Sequence, residues 1–262
     1  MHSAELPCVI GSVSRGGPGL GSIQPAQSDY FQATRGGGNG DYRVIVYAPY
    51  NLQELSDLTQ KAFYMADKYR NPVMLLLDGT IAQMMEGVEI RDITFPPIDK
   101  SNWAITGKKG RKEHHIITSI YLDTDTCEKH NHKLFKKYDE IEKNEAEVEL
   151  YLTDDAEIII ASYGTSARIV KNAINDLRKK GIKAGLIRPI TLWPFPYAAF
   201  KNISEPCKAV MSIELSMGQM IQDVKIGVAG KYEIGFYGRC GGNLFDSEEV
   251  VNAIEKYYKE VK

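Results

Sequence analysis

Val13-Ser14-Arg15-Gly16-Gly17-Pro18-Gly19-Leu20-Gly21-Ser22 follows directly on the apolar run Leu6–Val13. That run reads as a short buried strand, and the loop opens at its carboxyl end, where open parallel sheets place their ligands. Glycines 16, 17, 19 and 21 let the backbone come close to a small anion. Arg15 adds a planar, two-pronged donor suited to a carboxylate or a phosphate. The segment therefore points to a site for a small acid on a parallel α/β sheet. It begins only a few residues after Met1, so the expectation is that much of the sheet around it is not encoded in this sequence.

Composition narrows the class. The chain has 262 residues, 43% apolar and 25% charged, with a formal net charge of -2. That suits one large or two ordinary globular domains. Lys and Arg are dispersed, which argues against a nucleic-acid partner. No apolar run reaches the roughly 18 residues of a membrane span, and Met1–Pro7 lacks the basic start and apolar stretch of a signal peptide. A cytoplasmic location is expected by default. Cys8, Cys127, Cys207 and Cys240 are scattered with no CxxC pair, so no zinc or iron–sulfur site is expected from this chain alone. His130 and His132 lie two apart, which on a helix turns them in different directions. They read as solvated rather than as ligands.

Three regions follow. In residues 1–97, Arg43–Ala48 reads as a strand, and Asn51 with Glu54 reads as an N-cap and capping-box partner. Leu52, Leu55, Leu58, Ala62, Met65, Ala66 and Tyr69 keep a helical stripe, and Val73–Leu77 is an unbroken apolar strand. Such strand–helix–strand order predicts a parallel sheet buried on both faces. Residues 98–149 carry a basic, glycine-broken loop at Lys108–His115. A charged amphipathic helix follows, with Thr124 or Asp125 as its cap and Leu134, Tyr138, Ile141, Glu145 and Val148 on one face. This region reads as a linker between domains. In residues 150–262, Ala156–Ser162, Ile182–Ile187, Ala209–Ile213 and Ile234–Tyr237 read as strands. Helices are expected from Gly164-Thr165, ended by Lys179-Lys180-Gly181, and over Ser247–Tyr258.

The third region carries a resemblance. Asp155–Thr165, Gly181–Ala184 and Arg188-Pro189-Ile190-Thr191-Leu192-Trp193-Pro194-Phe195-Pro196 are similar to the transketolase carboxy-terminal fold. Glu214–Met220 and Tyr237-Gly238-Arg239-Cys240-Gly241-Gly242 resemble, more narrowly, the alpha subunit of the 2-oxoacid:ferredoxin oxidoreductases, in particular the 2-ketoisovalerate type. The Arg15 loop, Gln27-Ser28-Asp29, Gly36–Tyr42 and Lys68–Val73 leading into Asp78-Gly79 resemble the thiamine-pyrimidine domain of the same subunit. The fold implied is α/β: a partial thiamine-pyrimidine-type parallel-sheet domain (1–97), a linker (98–149) and a transketolase C-terminal-like α/β domain (150–262). The family's Tyr-Pro-Ile-Thr-Pro motif, and the acid that activates the thiamine pyrimidine, have no counterpart here. The resemblance is therefore to an amino-terminally shortened alpha subunit.

The resemblance implies oxidative decarboxylation of a 2-oxoacid onto coenzyme A, with electrons passed to ferredoxin. Thiamine diphosphate supplies the carbanion chemistry, so the protein's task is orientation and electrostatics. The diphosphate and its Mg²⁺ are expected in a partner beta subunit, and the iron–sulfur clusters in partner subunits, with gamma and delta types completing the complex. None of these groups is expected on this chain alone. Arg15 matches the arginine that pairs with the substrate carboxylate; the alternative is an arginine that only ties its loop to a neighbouring carboxylate. Gly16, Gly17 and Gly19 are substrate-binding candidates, although a tight turn needs glycine too. Gln27, Ser28 and Asp29 fit either hydrogen bonding around the site or capping of the helix that follows. Glu214 and Arg239 read as structural ion-pair or interface residues, and no catalytic or metal-binding residue is expected.

Other chemistries find no motif. The P-loop pattern, the third glycine of the dinucleotide fingerprint and a Gly-x-Ser-x-Gly elbow are all missing. Two further readings remain at this point: a transketolase or pyruvate dehydrogenase E1 beta-like subunit, and a non-catalytic assembly or anion-binding module.

Overall fold

The computed structural model describes residues 1–108 and 110–261. Strands β1 (Cys8–Ser14), β2 (Ile45–Tyr47) and β3 (Pro72–Asp78) run parallel, with β3 central, alongside helices α1 (Tyr30–Arg35), α2 (Leu52–Tyr69) and α3 (Gly79–Gln83). Register places Ser14 opposite Asp78, so β1 and β3 end level at the same edge of the sheet. Asn51 Oδ1 accepts the Glu54 N–H at 2.7 Å, the cap expected from sequence. The Glu54 carboxylate bonds the Tyr50 N–H instead of closing the box on Asn51 itself.

A 21-residue helix, α4 (Thr124–Asn144), leads to the second unit. Its cap is Asp123, whose side chain accepts the Thr126 N–H, rather than Thr124 or Asp125. Leu134, Tyr138 and Ile141 are its buried face. The amino-terminal arm straps it to the first unit: Glu5 takes Lys133 and Lys137, and His130 bonds the Ser3 carbonyl. Of the basic loop at 108–115, Lys109 lies outside the described residues; the rest forms no helix or strand and is mostly exposed.

The second sheet has the order β4-β6-β5-β8-β9. It comprises β4 (Val148–Tyr151), β5 (Ile158–Ala161), β6 (Ala184–Pro189), β8 (Ala209–Glu214) and β9 (Ile234–Gly238), all parallel except β4. Helices α5 (Gly164–Lys179) and α8 (Ser247–Val261) cover one face and enclose a core of Ile158, Ile160, Val170, Ile174, Ile213 and Ile254. The short α6 (Tyr197–Lys201) and α7 (Met220–Val228) lie toward the first unit.

The two sheets are joined by more than a linker. One residue past β6 the chain enters β7 (Thr191–Trp193), which pairs antiparallel with β2 and forms the far edge of the first sheet. The division at Glu149/Leu150 thus falls inside β4, and three residues of the later region belong to the earlier sheet. A single apolar cluster runs through both, from Tyr30, Val46 and Val73 to Ile159, Trp193, Phe200 and Val224. Burial of this shared apolar surface holds the two halves together.

Candidate functional site

The carboxyl edges of the two parallel sheets face each other, and a buried polar seam closes between them. From the first unit come Gln27 and Asp78, both nearly inaccessible to solvent. Gln27 Nε2 donates to the Tyr163 carbonyl at 2.8 Å, and its Oε1 accepts from Ser166 Oγ at 2.8 Å and the Leu215 N–H at 3.0 Å. Its backbone N–H donates to the Leu215 carbonyl at 2.8 Å. Gln27 is thus a rivet between units, with every side-chain group satisfied. Asp29 holds the N-cap position of α1 without a side-chain hydrogen bond. Gln219 of the second unit does the capping: its Oε1 accepts the Phe31 N–H and its Nε2 donates to the Ser28 carbonyl. Of the two readings of Gln27-Ser28-Asp29, capping is supplied from across the seam, while Gln27 hydrogen-bonds within the seam and Ser28 Oγ bonds the Arg15 carbonyl.

Asp78 Oδ1 accepts from the Thr80 and Ile81 N–H groups and from Thr165 Oγ1, while Oδ2 faces the Thr165 N–H. The carboxyl therefore ties the start of α3 to the start of α5, where Gly164 adopts φ +53°. Burial is the largest influence on its pKa and raises it; hydrogen bonds from Thr165, Ile81 and Thr80 oppose that shift. A folded pKa above the unfolded one means that the native state takes up this proton first as pH falls. Wild type should therefore gain stability relative to Asp78→Asn as pH falls toward the unfolded carboxyl pKa of about 4. Urea unfolding at several pH values checks this, and a pH-independent difference between the two proteins contradicts it.

Arg15 begins the glycine-rich loop directly beyond β1. Its backbone pairs with Pro25, the Gly16 N–H bonds the Gln24 carbonyl at 3.0 Å, and the Ser22 N–H closes the loop on the Gly16 carbonyl at 2.7 Å. The guanidinium curls over this loop. Nη1 donates to the Leu20 carbonyl, with Ser22 O at 3.5 Å, and Nη2 donates to Gly19 O at 3.2 Å. Among the described residues no carboxylate pairs with it, so the cation is held by neutral oxygens alone. The loop-tying acid allowed by sequence is not what the structure brings to Arg15.

The glycines differ in role. Gly16 is buried, and a Cβ there would sit 2.6 Å from the Gly241 carbonyl carbon. A Cβ on Gly17 would make only an ordinary contact, and one on Gly19, at φ +64°, would meet nothing within 4 Å. Gly21, at φ +47°, has room for no side chain, since a Cβ would lie 1.8 Å from Gly16 O. Gly241 and Gly242 were legible only as part of a family signature, yet they pack directly on this loop.

The side chains of Glu214 and Arg239 do not pair with each other. Glu214 is fully buried and accepts five hydrogen bonds, three of them from backbone N–H groups at the start of α7, and among the described residues no cation pairs with it. Arg239 pairs with Glu249 at the surface. A cavity of about 620 Å³ opens elsewhere, beside Arg43 and Trp193, lined also by Arg35 and Lys143. Arg35 is committed there to the buried Asp223, at 2.8 Å.

The charged group at the loop is a guanidinium held by carbonyl oxygens, which suits an anion and not a divalent cation. Among the described residues no group of three His, Cys, Asp or Glu side chains is arranged to hold a metal, and all four cysteines are free. The residues present thus fit the carboxylate end of a small acid. They do not fit a metal-bound diphosphate.

Comparison with known proteins agrees with this architecture. Residues 1–150 match the family described as pyruvate flavodoxin/ferredoxin oxidoreductase, thiamine diphosphate-binding, and residues 156–250 match pyruvate:ferredoxin oxidoreductase core domain II. The ketoisovalerate oxidoreductase subunit VorB of Methanothermobacter marburgensis is 43% identical over 98% of this chain and 72% of its own length. The 2-oxoglutarate synthase subunit KorA of Methanocaldococcus jannaschii is 32% identical over 97% and 74%. Among solved structures, 2-oxoglutarate:ferredoxin oxidoreductase from Magnetococcus marinus shares the fold, with a TM-score of 0.80 at 24% identity. That match covers 98% of this chain and 50% of the other. A split-gene transketolase matches more loosely, with a TM-score of 0.51 at 16% identity over 84% of this chain and 58% of that one. Family models over both halves, close relatives over nearly the whole chain, and two α/β sheets meeting at their carboxyl edges lead to one conclusion: the chain belongs to the 2-oxoacid:ferredoxin oxidoreductase family, as a subunit of the VorB and KorA type.

Proposed function

We propose that this chain is the subunit that holds the carboxylate end of a branched 2-oxoacid, of the 2-ketoisovalerate class, during its oxidative decarboxylation to the acyl-CoA. In that reaction the carboxylate leaves as CO₂ and the acyl carbon bonds the coenzyme A sulfur. Two electrons pass to ferredoxin and one proton is released. The observation that carries the reading is Arg15, a guanidinium at the carboxyl end of a parallel strand bonded only to neutral carbonyls. A carboxylate reaching it displaces weak partners and gains charge-assisted bonds. Gly17 and Gly19 crowd nothing around them, while Gly16 lets the loop pack against Gly241. The higher identity to VorB than to KorA favours the branched substrate over the acidic one.

Thiamine diphosphate with its Mg²⁺ belongs to a beta-type partner in this reading. Iron–sulfur clusters belong to further partners of gamma and delta type, and the assembly works in the cytoplasm. The domains are a pyrimidine-domain part (1–97), a linker (98–149) and a transketolase-type unit (150–262) that lends Thr191–Trp193 back to the first sheet.

The test is Arg15→Ala in the enzyme assembled from all its subunits. Loss of about 1.5–3 kcal/mol of charged hydrogen bonding should lower kcat/KM for the 2-oxoacid roughly 10- to 100-fold. Arg15→Lys should recover only part of this, because an ammonium cannot reproduce the fork. Unchanged kcat/KM in Arg15→Ala removes the proposal.

A further inference from the structure

We propose that Ser22 and the Gly241–Gly242 turn of the second unit are the positioning element for Arg15. The inference rests on the reading of Arg15 as the carboxylate clamp, and it adds that the clamp is set from the other half of the molecule.

The turn follows β9. It is anchored to its own unit by the Arg239 N–H on the Glu214 carbonyl at 3.3 Å, the Arg239–Glu249 ion pair and the Asn243 N–H on the Cys240 carbonyl at 3.2 Å. From there it reaches the loop. Ser22 Oγ donates to the Gly241 carbonyl at 2.8 Å and accepts the Gln24 N–H at 3.3 Å. The contact is backbone on backbone. A Cβ on Gly16 would lie 2.6 Å from the Gly241 carbonyl carbon and 2.8 Å from Gly242 N, and a Cβ on Gly242 would lie 2.4 Å from both Ser22 Oγ and Gln24 Cβ. Gly242 also adopts φ +95°, a conformation strained for any other residue.

The consequence for Arg15 follows from how its side chain is held. The guanidinium takes its position from the carbonyls of Gly19, Leu20 and Ser22, which are the far wall of the loop. That wall is fixed at two points: the neck, where Gly16 pairs with Gln24 and Ser22, and the turn, where Ser22 meets Gly241. A shift of the turn therefore moves the wall, and the wall carries the guanidinium. A displaced guanidinium meets a carboxylate at poorer distance and angle, and hydrogen bonds weaken steeply with both, so the loss falls on binding of the 2-oxoacid. The turn reaches the guanidinium only through Ser22, whose hydroxyl it holds and whose carbonyl faces Nη1, so its effect passes through the loop.

The experiment uses the assembled enzyme and four variants: Gly242→Ala, Ser22→Ala, Arg15→Ala, and Gly242→Ala with Arg15→Ala. Gly242→Ala should raise KM for the 2-oxoacid about tenfold, with kcat at saturation and KM for coenzyme A within about twofold of wild type. In the Arg15→Ala background the same substitution should add less than about twofold, because residues acting through one another are non-additive. Ser22→Ala introduces no clash and should raise the same KM about threefold; it decides the matter if Gly242→Ala does not assemble. An equal penalty from Gly242→Ala with and without Arg15 overturns the positioning role, as does an unchanged 2-oxoacid KM in Ser22→Ala. Failure of the Arg15 reading looks different, since Arg15→Ala alone is then silent.

Discussion

Glu214→Ala is expected to cost about 4–6 kcal/mol, most of the roughly 5–15 kcal/mol that keeps a domain folded. The carboxylate lies at the carboxyl end of β8 with no solvent exposure. Its Oε2 accepts from Ser216 Oγ (3.0 Å) and from the N–H groups of Gln219 and Met220 (2.9 Å each). Its Oε1 accepts from Ser212 Oγ and the Ile221 N–H, also 2.9 Å each. Alanine leaves three backbone donors at the start of α7 facing a dry void, and helix ends tolerate that poorly. The negative charge lost there is itself favourable at a helix N-terminus, by about 0.3–2 kcal/mol. Glu214→Gln separates the effects. The amide keeps one acceptor oxygen but turns an NH₂ toward either the Ile221 N–H or the Met220 and Gln219 pair, so about 2–3 kcal/mol should still be lost. Chemical denaturation of both variants measures this, and a Glu214→Gln midpoint equal to that of wild type contradicts the capping account. The seam depends on α7 as well, because Gln219 holds α1, so the Ala variant should also loosen the segment after the Arg15 loop.

What was legible in the sequence depended on the range of the interaction. The runs Leu6–Val13 and Val73–Leu77 were legible as paired parallel strands, but only the second is the buried strand expected: β1 forms the edge of its sheet and is half-exposed, Val13 at 50%, in a run that Gly11 and Ser12 interrupt. The Asn51 cap was readable because its partner lies three residues on. β7 was not: Thr191-Leu192-Trp193 is too short for a period of two to show, and its pairing with β2 is decided by a residue pair some 145 positions apart. Glu214 misled for a related reason. An acid ending an apolar strand suggests a cation somewhere, whereas its partners are amides five to seven residues later. The Ser-Met-Gly-Gln step before an apolar helix was the signal available. At Arg15 the glycines identified the loop, and the resemblance identified the residue. Its contact with Gly241–Gly242 spans more than 200 positions and leaves no local trace.

Arg188 makes the same point energetically. In sequence it opens the Arg-Pro-Ile-Thr-Leu-Trp-Pro stretch and looks like any strand-end cation; in the structure it is 2% exposed and joins the two units. Nη1 and Nη2 reach the two oxygens of Glu54 at 3.0 and 2.7 Å, Nε reaches Glu149 at 2.6 Å, and the guanidinium lies 4.2 Å from the Tyr50 ring centroid. Glu54 belongs to the first turn of α2 and Glu149 to β4, so one side chain fastens helix, strand and sheet. Burial alone would raise the pKa of Glu149. Hydrogen bonds from Lys171 and Arg188 outweigh that and hold its carboxyl below the ordinary value. Arg188→Ala leaves Glu54 without its cation and Glu149 with Lys171 alone, and should cost about 3 kcal/mol, the lower end for removing one member of a buried ion group because both carboxylates keep some access to solvent. Arg188→Lys should lose about 2 kcal/mol, since the bidentate pair and the stacking both require the planar fork. The sign with pH follows from the lowered folded pKa: stability from Glu149 is present above its unfolded pKa and is lost as pH falls through the folded one. The penalty of Arg188→Ala should therefore shrink on acidification, and a double-mutant cycle with Glu54→Gln should show coupling of about 1.5–3 kcal/mol at neutral pH. Additive single and double variants, or an Ala penalty below about 0.5 kcal/mol, would show that the two units hold together without this clamp.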